Sequence, residues 1–122
     1  MTAKEDFMRK FNEAFAKSDT AFLVANVSDD IEWTVYGDKT ISGIEDFKKT
    51  VEEMKTQAKV VMELDRIITH GNTATVNGTM QMTESGKIST YAFADVCVLS
   101  GFKNPKIKRM KSYVIKIADH EK

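Results

Sequence analysis

Four long extended segments fill the second half of the chain and constrain its fold more than any other feature. They run from Val60 to His70, Thr73 to Thr83, Lys87 to Ser100 and Lys106 to Ala118. Gly71-Asn72 and Ser85-Gly86 are tight hairpin signals between the first three, and residues 101–105 separate the last two. Strands of about ten residues or more need strong twist and curl. We therefore predict a strongly curved, mostly antiparallel sheet.

The first half of the chain is predicted to be mainly helical. Apolar side chains between residues 4 and 17 recur at three- and four-residue spacing, which indicates an amphipathic helix. Ser28-Asp29-Asp30 is expected to be a break, and Ser42-Gly43-Ile44-Glu45 has the form of a capping box. The predicted helices are residues 4 to 17, Thr20 to Val27 and Ile44 to Gln57, and the predicted short strands are Ile31 to Tyr36 and Thr40 to Ile41.

Helices followed by an antiparallel meander are typical of an α+β domain. We expect the three N-terminal helices to pack in the concave face of the curved sheet, which gives a cystatin-like cone with an open mouth. The length of 122 residues suits a single domain over residues 1–122 with one core.

Charge and cysteine usage exclude several classes of partner. Lys plus Arg and Asp plus Glu number 18 each, so the net charge is zero, whereas a nucleic-acid or anionic membrane surface needs a basic excess. Cys97 is the only cysteine, so an internal disulfide cannot form and a reducing compartment is expected. The sequence has no signal peptide, lipidation motif or long apolar run. We expect a cytoplasmic protein that binds neither nucleic acid nor membrane.

A single carboxylate interrupts the apolar segment from Ser89 to Ser100. Alternate residues of a strand share a face, and both faces of this segment are apolar except at Asp95. An ionised carboxylate is costly to bury without a partner, so Asp95 is expected to be paired, protonated or beside a wet cavity. The face that contains it consists of Tyr91, Phe93, Asp95, Cys97 and Leu99.

Four short motifs carry a resemblance to a known family. They are Ser28-Asp29-Asp30-Ile31-Glu32-Trp33, Ile41-Ser42-Gly43-Ile44-Glu45-Asp46-Phe47, Phe93-Ala94-Asp95-Val96 and Lys106-Ile107-Lys108-Arg109-Met110-Lys111-Ser112-Tyr113. In this order and spacing they resemble the nuclear transport factor 2-like superfamily, and in particular its SnoaL-like and ketosteroid isomerase-like domains. The resemblance spans nearly the whole chain. It implies one mostly apolar pocket between the helices and the concave face of the sheet.

The resemblance also tests two catalytic patterns of that superfamily. The ketosteroid isomerase tyrosine falls at Phe11 and its general base at Val35, while its aspartic acid that an apolar site keeps protonated falls at Asp95. Of the limonene epoxide hydrolase Asp-Arg-Asp unit, one carboxylate remains at Asp95, while Phe93 and Ser112 occupy the other two positions. Neither pattern is complete, so we do not expect either reaction by its usual route.

The expected pocket is largely apolar with few polar points, which is typical of a small-molecule site. Asp95 is its tentative catalytic or anchoring group, although a structural carboxylate bonded to Trp33, Tyr91, Ser112 or water remains open. For the methionines, ordinary core packing is the alternative interpretation. The residues that the resemblance places in the pocket are Phe11, Phe15, Trp33, Val35, Met80, Met82, Tyr91, Phe93, Met110 and Ser112.

No other chemistry is indicated by the sequence. It has no phosphate-binding glycine loop, and His70 and His120 have no metal-ligand spacing, so neither a metal nor a cofactor is expected. Three hypotheses stay open: a binding module for a small apolar ligand, an isomerase or cyclase in which Asp95 is the sole acid–base group, and a structural or interaction domain.

The residues on the other face of the Asp95 strand predict contact with a second protein chain. Their small and apolar side chains need cover, and no helix is left to supply it. We therefore expect a homodimer packed through the convex face of the sheet. This convex face comprises Ala92, Ala94, Val96 and Val98 beside Thr75, Asn77, Thr79 and Gln81.

Overall fold

The computed structural model describes residues 2–55, 59–101 and 104–121, and for His120 and Glu121 the backbone alone. The helices are α1 (Ala3–Lys17), α2 (Thr20–Ala25) and α3 (Ile44–Glu53). The strands are β1 (Val27–Val35), β2 (Lys39–Ser42), β3 (Lys59–His70), β4 (Thr73–Glu84), β5 (Lys87–Ser100) and β6 (Lys106–Glu121).

The six strands form one sheet in the order β2-β1-β6-β5-β4-β3. All neighbouring pairs are antiparallel except β1 and β6, which are parallel. The helices pack against this sheet around a shared core. The predicted α+β architecture with a curled, mostly antiparallel sheet is therefore confirmed.

Irregularities in the strand pairing produce the curl of the sheet. One bulge leaves Asp65 of β3 without a partner on β4, and Asn77 spans it by accepting from the Arg66 amide at 3.2 Å and donating to Asp65 at 3.3 Å. Opposite the bulge, a Cβ added to Gly78 would collide with the carbonyl oxygen of Glu63. Glycine is therefore needed where the two backbones approach each other.

Side-chain caps fix the junction between the first two helices. The α1 N-cap, Thr2, accepts a hydrogen bond from the Glu5 amide at 3.1 Å. Ser18 ends α1 in the left-handed region at φ 57°, and Asp19 then caps α2 by accepting from the Phe22 amide at 3.2 Å. The predicted end of the first helix at residue 17 and the predicted start of the second at Thr20 are both present.

The predicted capping box of α3 is wrong. Ser42 pairs with Glu32 in the β1–β2 ladder, and Gly43 takes the N-cap position at φ 87°. The Gly43 amide donates to the Ile31 carbonyl at 2.8 Å. The helix begins one residue later than the motif predicts, so Ser42 precedes the N-cap and no side chain caps α3.

Several predicted boundaries also shift. β1 begins at Val27 rather than Ile31, so the expected break at Ser28-Asp29-Asp30 lies inside the strand, where its pairing with β6 is irregular. β6 continues to Glu121, and α3 ends at Glu53. Of the predicted end of α3, residues 56 and 57 lie outside the described residues.

The core fills one end of the cone. Along β4 and β5 the inward residues Ala74, Val76, Cys97 and Leu99 are almost completely buried. They pack with buried side chains of the helices, of β1 and of β6. Toward the other end of the same strands the inward residues line a cavity instead. In the described part of the chain, no helix is long and apolar enough to cross a membrane.

Candidate functional site

A cavity of about 360 Å³ lies between the helices and the concave face of the sheet. We name it the central cavity. Most of its wall is apolar, and every sheet strand contributes to it. It is lined by Asn12, Phe15, Trp33, Val35, Asp38, Lys39, Ile41, Thr50, Glu53, Met54, Met62, Met80, Phe93, Asp95, Met110, Ser112 and Val114.

Asp95 is the carboxylate held on the sheet wall of the central cavity. It lies on β5 between Val76 of β4 and Ser112 of β6, and its side chain is largely buried. Burial raises the pKa of Asp95 from 3.8 to about 6, because the apolar surroundings disfavour its charged form. The adjacent Ser112 hydroxyl acts in the opposite direction and is the smaller effect.

Trp33 is hydrogen-bonded to Ser112, the residue that pairs with Asp95 across β5 and β6. The buried indole Nε1–H of Trp33 donates to Ser112 Oγ at 2.8 Å. An indole nitrogen can only donate, so the serine oxygen is the acceptor and its own proton is free for another partner. Asp95 pairs with Ser112 across β5 and β6, and Ser112 lowers the pKa of Asp95. Ser112 is thus the neighbour that Trp33 and Asp95 share.

A row of aromatic rings connects α1 to this site. Phe15 lies 5.6 Å from Trp33 between ring centroids, and Phe11 packs edge-to-face against Phe15 at 5.4 Å. On its other side Trp33 packs against Phe47 of α3 at 5.8 Å. These contacts hold the indole in place, so the direction of its N–H is fixed by packing.

The structure brings most of the predicted pocket residues together. Phe15, Trp33, Val35, Met80, Phe93, Asp95, Met110 and Ser112 line the central cavity. Trp33, Phe93, Met110 and Ser112 are also almost completely buried. The largest group of predicted residues therefore shares one cavity, although these residues are far apart in the sequence.

Three predicted pocket residues do not line the central cavity. Phe11 is a core residue, 1% exposed, one helical turn from Phe15. Met82 pairs with Ser89 close to the β4–β5 hairpin, beyond the cavity. Tyr91 lies beside a bulge in the β5–β6 pairing, which alters the alignment of the strands at that point.

Sequence reasoning missed the polar helix residues of the cavity. Asn12 is 3% exposed and donates through Nδ2 to the Met8 carbonyl at 2.8 Å. Thr50 of α3 is 7% exposed and donates to the Asp46 carbonyl at 2.8 Å. A usable signal existed for Asn12, since it lies four residues after Met8 and three before Phe15, on the apolar face of α1.

The mouth of the central cavity carries charge. Asp38, Lys39 and Glu53 line it and are exposed. Together with Asp95 the wall has three carboxylates against one ammonium. Among the described residues, no cluster of histidine, cysteine and carboxylate side chains could hold a metal ion.

The fold and the site define a class of protein: an α+β cone with a single carboxylate set into the apolar part of its cavity wall. The sequence matches the model of the SnoaL-like domain over residues 8–110, so the chain belongs to the SnoaL-like domain family. Its architecture is that of the nuclear transport factor 2-like superfamily, as the motifs predicted. No curated protein is significantly similar in sequence.

Solved structures share the fold. An NTF2-like protein of unknown function from Cytophaga hutchinsonii is 27% identical with a TM-score of 0.68, over 91% of this chain and 98% of that one. A putative scytalone dehydratase from Novosphingobium aromaticivorans is 15% identical with a TM-score of 0.77, over 98% and 85%. An M. tuberculosis LEH-like epoxide hydrolase is 16% identical with a TM-score of 0.75, over 88% and 79%. The last two show the fold alone.

Proposed function

We propose that this protein binds a small, largely apolar molecule in the central cavity, with Asp95 as the main polar contact. The observation that carries the proposal is a mostly apolar cavity of about 360 Å³ with one largely buried carboxylate in its sheet wall. Small-molecule sites are typically of about 300–1,000 Å³, apolar, with a few placed polar groups.

The methionines suit a binding role as well as a core role. Met54, Met62, Met80 and Met110 all line the cavity. Their flexible thioethers fit irregular shapes, so such a wall accepts ligands of differing outline. Trp33 and Phe93 add flat surfaces against which an apolar ligand can pack.

An enzyme is the second candidate, and one observation favours it. With its pKa raised to about 6, Asp95 can both give and take a proton close to neutral pH, as an isomerase or cyclase needs. Against this, Val35 lines the cavity without a titratable group, and Phe11 lies in the core. Asp95 would be the sole acid–base group. A purely structural or interaction role is the third candidate.

Native mass spectrometry of the freshly purified protein tests the binding proposal. We expect an adduct of small-molecule mass on the wild-type chain. The matched control is Val114→Trp, because Val114 lines the cavity yet is 44% exposed, so a larger side chain there fills the cavity without disturbing the core. Equal ligand occupancy in both proteins, with both folded, contradicts binding in this cavity.

The Asp95→Asn variant separates the binding and enzyme hypotheses. Asparagine keeps the shape of the side chain but cannot transfer a proton at neutral pH. Once a ligand is identified, unchanged conversion of that ligand by Asp95→Asn contradicts the enzyme hypothesis. Binding that persists while conversion stops supports it.

We also propose that the protein is a cytoplasmic homodimer that associates through the convex face. Ile115, Tyr113 and Val96 on this side of β5 and β6 are 66%, 44% and 36% exposed. Tyr36 stacks on Tyr113 at 4.8 Å, which extends the apolar surface to β1. Light scattering coupled to size exclusion checks this, and a monomer of 13.8 kDa at micromolar concentration contradicts it.

A further inference from the structure

The charge on the wall of the central cavity is unbalanced, although the chain as a whole carries none. Asp95 lies inside the cavity, and Asp38 and Glu53 lie at its mouth, against the single ammonium of Lys39. We propose that the ligand is a protonated amine on an apolar body, with Asp95 as its counter-ion. This inference rests on the proposed function, because it names the ligand class of the same cavity.

The polar groups in the cavity wall favour a ligand that donates hydrogen bonds. The Trp33 indole N–H is already used in its hydrogen bond to Ser112 Oγ at 2.8 Å, so it is not free to donate to a ligand. One N–H of the Asn12 amide is bound to the Met8 carbonyl. An ionised carboxylate is acceptor-only. The wall around Asp95 therefore offers mainly acceptors, which complement the several N–H donors of an ammonium group.

Aromatic rings surround the same space. Phe15, Trp33 and Phe93 line the cavity, with Phe15 and Trp33 in contact at 5.6 Å between centroids. The face of an aromatic ring attracts a cation, and the attraction grows when water is excluded. A carboxylate beside aromatic rings is suited to an organic cation, whose charge meets Asp95 while its carbon skeleton meets rings and methionines.

The other groups that face Asp95 leave its charge uncompensated. On its own strand the Cys97 thiol has a pKa raised by burial and by Asp95, so this thiol is neutral. From β1, β4, β6 and α1 the cavity receives uncharged side chains only, and the charged residues from the other elements are those at the mouth. Among the described lining residues, Lys39 is the only one with a cationic side chain. Any other cation that pairs with Asp95 must come from a ligand.

The pH dependence distinguishes a cationic ligand from a neutral one. With the pKa of Asp95 at about 6, the carboxyl group is mostly ionised at pH 7.5 and mostly protonated at pH 5. An ammonium ligand needs the ionised form, so its affinity should fall about tenfold from pH 7.5 to pH 5. A ketone of the same shape accepts a hydrogen bond from the protonated form, whose fraction rises about thirtyfold over the same range, so its affinity should rise by up to that factor.

Isothermal titration calorimetry with phenylpropylamine and benzylacetone tests the inference. These probes share an aryl-alkyl body and differ in the polar head. We expect phenylpropylamine to bind the wild-type protein more tightly than benzylacetone at pH 7.5 and to lose about tenfold at pH 5. In Asp95→Asn we expect at least tenfold weaker amine binding with no pH dependence, and little change for the ketone.

The outcomes also separate this inference from the proposed function. Tighter binding of benzylacetone, increasing as pH falls, overturns the ammonium inference and leaves a small-molecule site with a protonated Asp95. Binding of neither probe, to wild type or to Asp95→Asn, overturns both. The pH dependence of probe binding to the wild-type protein tests the inference even if Asp95→Asn does not fold. Circular dichroism at each pH verifies that the protein stays folded.

Discussion

Replacing Asp95 by asparagine should change the pH dependence of stability in a defined direction. The pKa of Asp95 is raised from 3.8 to about 6 by burial, so the folded protein holds its proton more tightly than the unfolded chain does. The stabilisation from that proton is fully present below pH 3.8 and is lost as pH rises through 6. A difference of about two pKa units corresponds to about 3 kcal/mol.

Asparagine does not titrate, so Asp95→Asn escapes this loss. Relative to wild type, the free energy of unfolding of the variant should therefore increase by up to about 3 kcal/mol between about pH 4 and pH 7.5. Urea unfolding of both proteins at the two pH values measures this change. The exposed Asp29→Asn variant controls for the altered net charge.

A constant difference in unfolding free energy at both pH values would refute the reasoning about Asp95. It would mean that the carboxyl group keeps its ordinary pKa in the folded protein, and hence that it is solvated rather than set into an apolar wall. Both the enzyme hypothesis and the pH test of the ammonium ligand would then lose their basis.

Three further variants test separate parts of the structure. Ser112→Ala should leave the buried indole N–H of Trp33 without an acceptor, and urea unfolding should show a loss of about 1–3 kcal/mol. Gly78→Ala should place a Cβ against the Glu63 carbonyl, and a fall in thermal midpoint equivalent to about 1–3 kcal/mol is expected; an unchanged midpoint would contradict the close approach. Ile115→Lys should place a charge on the convex face, and light scattering should report a monomer if wild type is a dimer.

The architecture was readable from the sequence because its signals are local and repeated. Periodicity of 3.6 over residues 4 to 17 predicted α1, and hairpin glycines between long extended segments predicted the β3–β6 meander. The predicted boundary at Ser18 to Thr20 also held, because capping is a matter of a few adjacent residues.

The capping box of α3 shows where a local signal fails. Ser42 and Glu45 fit the motif, yet Ser42 is held by its pairing with Glu32 of β1. Backbone ladder bonds between distant segments outweigh one side-chain cap. The same holds for Ser28-Asp29-Asp30, where turn-forming residues lie inside a strand because β1 pairs with β6.

The sequence by itself determined the α+β architecture, because helix periodicity and hairpin signals are local, and strand alternation determined which residues share a face with Asp95. Only the tertiary structure decided which inward residues line the cavity. Bulges in β3 and β6 shift the strand alignment, and helix packing sends Phe11 to the core but Phe15 to the cavity wall. The polar groups Asn12, Thr50 and Glu53 share the cavity with Asp95 only because the sheet curls around the helices. That arrangement depends on long-range packing, which no single segment encodes.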